Sequence, residues 1–193
     1  MTGNLRLFFA VSVPPDLLES LQERLADLKS AFPQARWTAT AAQHLTCKFL
    51  GATPEDSLED VLRTGAAVAR EKQGAAVSLS RLGAFPSARR ARILWLGIDD
   101  PAGVLTGLAE GLSRALERLG FAAEARAFTP HLTLARFKDP VKLPSELVLS
   151  GSSLPPFEVS EVGLWRSHLS PKGARYELLA TLPLNRMDSR SRG

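Results

Sequence analysis

One phrase occurs twice in this chain, His44-Leu45-Thr46-Cys47 and His131-Leu132-Thr133-Leu134, each time inside an apolar run of strand composition. Side chains alternate across a strand, so His44 and Thr46 share one face while Leu45, Cys47 and Phe49 are expected on the other. The second copy repeats the arrangement, with His131 and Thr133 opposed to Leu132 and Leu134. A strand that buries its leucines offers an imidazole and a hydroxyl to whatever lies across from it. Two such strands face to face would form a site with two proton-transfer groups.

The flanking segments set the fold class. Leu5 to Val13 has strand composition, and Pro14-Pro15 closes it where the next element can start. Leu17, Leu18, Leu21, Leu25 and Leu28 recur at helical spacing and predict one amphipathic helix over Asp16 to Phe32. Trp37 to Thr40 and His44 to Leu50 then read as a strand pair closed by Gly51. Thr53 is expected to cap a second helix, with Pro54, Glu55 and Asp56 in its first turn, that runs to about Lys72 and stops at Gly74.

Ala76 to Leu82 and Ile93 to Ile98 follow as strands joined by an arginine-rich connection, and Asp99-Asp100-Pro101 leads into a third helix that ends at Leu119 before Gly120. Phe128 to Phe137 carries the second phrase, and a proline-interrupted stretch extends to Pro156. Phe157 to Arg166 and Arg175 to Leu182 close the chain as strands about a turn at Ser170-Pro171-Lys172-Gly173. Strand pairs close in sequence predict an α+β domain with antiparallel sheets rather than a parallel nucleotide-binding sheet. A helix followed by a His-x-Thr strand in each half implies two related lobes.

Length and composition agree with one such unit. At 193 residues and 45% hydrophobic content the chain can bury a core, and residues 1–185 are expected to form a single two-lobed domain. Half of the net charge of +4 lies in residues 186–193, three arginines and one aspartate, expected to be a disordered basic tail. The body is therefore mildly basic, compatible with a phosphate-bearing ligand. Its densest basic stretch holds Arg81, Arg89, Arg90 and Arg92, which would grip a phosphodiester backbone if it borders the site and is a solvated loop otherwise. The lone Cys47 excludes an intrachain disulfide and fits a reducing cytoplasm. No apolar run approaches the roughly 20 residues needed to cross a bilayer, and Leu5 to Val13 reads as a strand rather than a signal peptide.

Two imidazoles with ordinary pKa near 6.5 can divide proton transfer at neutral pH, one accepting while the other donates. In-line displacement at phosphorus needs that division and needs no metal. The Thr46 and Thr133 hydroxyls, two residues from each histidine on the same face, are placed to hydrogen-bond non-bridging phosphate oxygens. A zinc site on His44, His131 and His168 would need acidic ligands at close spacing, which neither phrase supplies, so no metal or other cofactor is expected. Cys47 is separated from His44 by alternation and is a poor candidate nucleophile. His168, beside the turn, reads as a surface or loop residue, and Trp37, Trp95 and Trp165 as core.

At this point the chain resembles a family, the RNA 2′,3′-cyclic phosphodiesterases, also called 2′-5′ RNA ligases, of the two-histidine phosphoesterase superfamily. The resemblance runs in order through Arg6-Leu7-Phe8-Phe9-Ala10, His44 to Gly51, Leu94-Trp95-Leu96-Gly97, Phe128 to Arg136 and Ser167 to Tyr176, covering residues 5–185. It implies a bilobal fold of two antiparallel sheets with helices on the outer faces and both His-x-Thr strands on a central cleft. It implies metal-independent hydrolysis of RNA 2′,3′-cyclic phosphate ends to 2′-phosphomonoesters, with His44 as proton donor, His131 as acceptor, and ligation as the reverse reaction. It also implies phosphate binding by Arg136, although strict alternation turns that side chain away from the cleft unless a bulge redirects it. Phe8, if Leu7, Phe9 and Val11 face the helices, is expected either to face the cleft and stack on a base or to sit in the core. The expected partner is RNA, handled by a cytoplasmic monomer. The competing expectation is a non-enzymatic RNA-binding module with the same cleft.

Overall fold

The computed structural model describes residues 3–124, 126–144, 154–170 and 173–185. The tail from 186, the stretch 145–153 and the turn residues Pro171 and Lys172 lie outside them. Thirteen elements follow in the order β1 (Asn4–Ser12), α1 (Pro15–Arg24), α2 (Ala26–Ala31), β2 (Arg36–Trp37), β3 (His44–Pro54), α3 (Leu58–Arg70), β4 (Ala75–Phe85), β5 (Ala91–Asp99), α4 (Val104–Glu117), β6 (His131–Val141), β7 (Phe157–Val159), β8 (Glu161–Ser170) and β9 (Gly173–Pro183). The strands form two antiparallel sheets, one ordered β3-β1-β8-β9 and the other β2-β6-β5-β4-β7. The two sheets approach each other along the phrase-bearing strands, where β3 and β6 come within 8 Å between Cα atoms.

Helices cover the faces turned away from that junction. α3 buries Val61, Gly65, Val68 and Ala69, a single stripe at helical spacing, and rests on the first sheet. α4 buries Val104, Leu105, Leu108, Ala109, Leu112 and Leu116 and packs against α3 and β3. The fit at Gly65 is close: a Cβ there would stand 2.6 Å from the buried Phe9 ring and 3.1 Å from Leu182. Gly107 of α4 is different, since its Cβ would meet only the Lys72 side chain at 3.7 Å or more. Gly65→Ala is therefore expected to destabilise by about 1–3 kcal/mol through overpacking, despite alanine's better helix propensity. Gly107→Ala should stabilise by roughly 0.5–1 kcal/mol. Urea denaturation of the two variants checks both signs.

Several sequence expectations are corrected by packing. The helix over Asp16 to Phe32 divides at Leu25, whose ψ of −4° opens the turn while its N–H still donates to Leu21 at 3.0 Å. The strand pair at Trp37 to Thr40 and His44 to Leu50 does not form. β2 bonds to β6 instead, Arg36 opposite Arg136 and Trp37 opposite Ala135, and a 3₁₀ turn at Thr40–Ala42 carries the chain to the other sheet. β1 wins β3 because it offers a partner along its whole length, from Asn4 opposite Pro54 to Ser12 opposite His44. Thr53 caps nothing: it is buried inside β3 with its hydroxyl donating to the Gly51 carbonyl at 3.3 Å, and a 3₁₀ turn at Glu55–Ser57 precedes α3. The run Phe157 to Arg166 breaks at Ser160, leaving β7 against β4 in one sheet and β8 in the other. Among the described residues no helix is long and apolar enough to cross a membrane.

Candidate active site

The decisive local feature is a bulge present in both phrases. On β3, Lys48 lies opposite Phe9 and Thr46 opposite Ala10, so Cys47 has no partner. On β6, Ala135 lies opposite Leu94 and Thr133 opposite Trp95, so Leu134 has none. Cys47 and Leu134 are the same, fourth, position of the two phrases. One extra residue reverses which face the following side chains take. Lys48 turns inward, 2% exposed, and donates through Nζ to the Ala122 carbonyl at 2.6 Å and to Glu124 Oε1 at 3.2 Å. Phe49 and Arg136, each five residues after its histidine, turn to the cleft. This corrects the expectation that Phe49 shares a face with Leu45 and Cys47, and supplies the bulge that Arg136 required.

A cavity of about 480 Å³ opens beside the first phrase. β3 contributes His44, Thr46 and Phe49, β6 contributes Arg136, β1 contributes Arg6 and Phe8, and the β8–β9 hairpin contributes Ser167, Leu169, Ala174 and Tyr176. His131 and Thr133 are not in that wall. They lie farther back on β6, His131 opposite Gly97 and Thr133 opposite Trp95. Sequence reasoning missed Arg6, Phe49, Ser167 and Tyr176. Arg6 was within reach, because it precedes Phe8 by two on the same strand.

Each histidine is held by a backbone carbonyl two residues earlier and by two aromatic rings. His131 Nδ1 donates to the Thr129 carbonyl at 2.7 Å, and since a carbonyl only accepts, the neutral ring carries its proton there and its lone pair on Nε2. Phe85 meets the His131 ring edge-on at 5.1 Å and Trp95 lies 6.0 Å away. His44 is hydrogen-bonded to the Ala42 backbone, stacks on Phe8 at 4.8 Å and meets Tyr176 edge-on at 5.0 Å. Phe8 faces the cleft side, but at 2% exposure, covered by His44 and Tyr176, it supports the imidazole and leaves no open face for a base.

Burial pushes His44 down from 6.5 to about 4, against the bond to Ala42, which favours the charged form. His131 is also lowered, by burial first and by the Arg136 charge in addition, with the Thr129 bond opposing. Both rings are therefore neutral at pH 7 in the free protein, and a bound phosphate anion would restore a proton to one of them. Heteronuclear NMR should find the His44 imidazole titrating near 4 without ligand and at higher pH with inorganic phosphate. A free-state value at or above 6.5 would refute the burial account. The stability linkage has a fixed sign: a folded pKa below the unfolded one contributes stability above about 6.5, lost as pH falls toward 4.

The remaining candidates fall outside this chemistry. Burial pushes the Cys47 thiol up to about 12, so it stays protonated. His168 is a strand residue of β8 rather than a loop residue, with Nε2 2.6 Å from Glu177 Oε2. Trp95 and Trp165 belong to the sheets' inner surfaces, the first lying over Gly83 and Gly97 and the second over Gly163.

The profile of the 2′-5′ RNA ligase superfamily matches residues 13–171, a span that includes both phrases. The chain belongs to the 2′-5′ RNA ligase superfamily. Curated superfamily relatives include an RNA 2′,3′-cyclic phosphodiesterase of Thermus thermophilus, 35% identical over 93% of this chain and 90% of its own length. Another from Methanothermobacter thermautotrophicus is 32% identical, covering 89% of this chain and 94% of that protein. Among solved structures, a Thermus thermophilus protein superposes with a TM-score of 0.80 at 32% identity, covering 93% and 97% of the two chains. Escherichia coli LigT complexed with 3′-AMP superposes with a TM-score of 0.77 at 25% identity, covering 94% and 99%. The two-sheet architecture is thus that of the superfamily.

Proposed function

We propose that this protein hydrolyses the 2′,3′-cyclic phosphate at an RNA end to a 2′-phosphomonoester, without a metal. One observation carries the reading: two imidazoles at matched positions of adjoining strands, each fixed by a carbonyl two residues earlier. Relatives named RNA 2′,3′-cyclic phosphodiesterase over most of the chain support it.

His131 Nε2, with its lone pair free, accepts a proton from water as the water oxygen bonds to phosphorus. The bond from phosphorus to the 3′ oxygen breaks, and that oxygen takes the proton held by His44. Thr46 and Thr133 donate hydroxyl hydrogen bonds to the non-bridging oxygens, and the Arg136 guanidinium offsets the charge that grows there. The phosphate anion explains how His44 acts as an acid although burial lowers its pKa: the substrate supplies the opposite charge that stabilises the imidazolium. Proton return from His131 to His44 through solvent closes the cycle. With an RNA 5′-hydroxyl in place of water as the attacker, the same groups form a 2′-5′ phosphodiester as the bond from phosphorus to the 3′ oxygen breaks, a ligation that water outcompetes in dilute RNA.

The test is incubation with a short RNA ending in a 2′,3′-cyclic phosphate in the presence of chelator, with 2′- and 3′-phosphate products resolved. A clean 2′-phosphate product is expected. A 3′-phosphate, or dependence on added metal, would contradict the reading, and tight RNA binding without turnover would replace it with a binding module.

A further inference from the structure

We propose that Arg36 binds the phosphodiester group one nucleotide upstream of the cyclic phosphate, so that the site takes the end of an RNA strand in preference to a lone nucleotide. The proposal rests on the phosphodiesterase reading and extends it from the reacting phosphate to the next one along the strand.

β2 is only two residues long, and each residue has a separate task. Trp37 packs against the core, its Nε1 donating to the Phe32 carbonyl at 3.3 Å. Side chains alternate along a strand, so Arg36 takes the opposite face. β2 bonds to β6 just beyond the bulge at Leu134, with Trp37 opposite the buried Ala135 and Arg36 opposite Arg136. Residues directly opposite in an antiparallel pair share a face, with Cβ atoms about 4.5–5.5 Å apart. The face that puts Arg136 in the cavity wall therefore holds Arg36 beside it, one strand farther out at the sheet's edge.

Like charges directly opposite each other repel, a cost that an anion beside them removes. No carboxylate does so among the described residues, where the ion pairs are those of Lys48, Arg63, Arg114 and His168, and Arg36 is exposed. Lys138, two residues after Arg136 and also exposed, adds a third cation to the same face. Arg136 and Lys138 lie on the far side of the bulge from His131 and Thr133, and Arg36 is paired there with them. The cations thus begin where the reacting phosphate is held and run outward, the order in which the phosphates of a strand follow its 3′ end.

Arg136 lines the cavity and Arg36 does not. A guanidinium just outside the pocket of the reacting phosphate is placed for a second phosphate one ribose away, not for the first. Its planar fork matches the two free oxygens of a phosphodiester. Such a contact holds the backbone and reads no base.

The experiment compares a two-adenosine RNA ending in a 2′,3′-cyclic phosphate with the same molecule carrying a neutral methylphosphonate linkage, on wild type, Arg36→Gln and Arg36→Lys. Wild type should show a higher kcat/KM for the charged linkage by roughly 3- to 30-fold, the range of one charge-assisted contact at a solvated site. That ratio should shrink as salt rises. Arg36→Gln should bring the ratio close to one, and Arg36→Lys should keep part of it. Equal wild-type values on both substrates, or a ratio that Arg36→Gln leaves unchanged, would overturn the assignment. If wild type hydrolyses neither substrate, the phosphodiesterase reading fails by itself, and calorimetry with the two dinucleotides ending in a 2′-phosphate decides the role of Arg36. Tighter binding of the charged linkage that Arg36→Gln abolishes then supports it, and equal affinity of wild type for both overturns it.

Discussion

Replacing either His44 or His131 with alanine is expected to lower kcat on an RNA 2′,3′-cyclic phosphate by about 10²–10⁴-fold, the usual contribution of a positioned acid or base. The double variant should be little worse than the poorer single one, because groups that act as a unit lose their effect together. The two losses differ in pH dependence. Without His131 the remaining limb is the fall at high pH as His44 loses its proton; without His44 the profile should keep the rise that reports His131 becoming neutral. Neither change removes a core side chain, since both rings are only partly buried at the cleft surface. Far-UV circular dichroism and a thermal melt separate a chemical loss from a folding one. Activity that survives either substitution would remove that histidine from the mechanism.

Arg136→Gln is the second large effect, a loss of roughly 10²–10³-fold in kcat/KM, as for removal of a donor aimed at developing charge. The side chain is exposed in the cavity wall and no intramolecular carboxylate pairs with it among the described ion pairs. Its removal should therefore cost little stability, within about 0.5 kcal/mol. Arg136→Lys should recover only part of the loss, because a point charge cannot reproduce the two-pronged geometry of guanidinium on phosphate. The split between kcat and KM is informative. A loss confined to KM would mean that the guanidinium holds the ground state and transition state equally. Removing its charge should also raise the His131 pKa, since Arg136 contributes to lowering it.

Much of this site was legible because alternation is a strict geometric rule: His44 with Thr46 and His131 with Thr133 needed nothing beyond the period of a strand. The faces of Phe49 and Arg136 were not legible from that period. A bulge adds one residue without a compositional mark, and Cys47 and Leu134 are apolar like the strand residues around them. The burial pattern reveals it only in the structure, as two consecutive buried residues, Cys47 with Lys48 and Leu134 with Ala135. Sheet membership was equally hidden at β2 and at Ser160, where short segments pass between sheets and long-range partners decide. Ser167 and Tyr176 carry no local signal of a shared cavity, because they reach it from a hairpin far from both phrases in sequence. Gly120, by contrast, ends its helix with φ +86°, as its position after Leu119 suggested.

The central claim is that the two histidines divide the proton transfers, His44 giving and His131 taking. A substrate with sulfur in place of the bridging 3′ oxygen tests this most directly, because a thiolate leaves without protonation. Single-turnover rates on that substrate should bring His44→Ala close to wild type while His131→Ala stays slow. Rescue of His131→Ala instead, or of neither variant, would contradict the account.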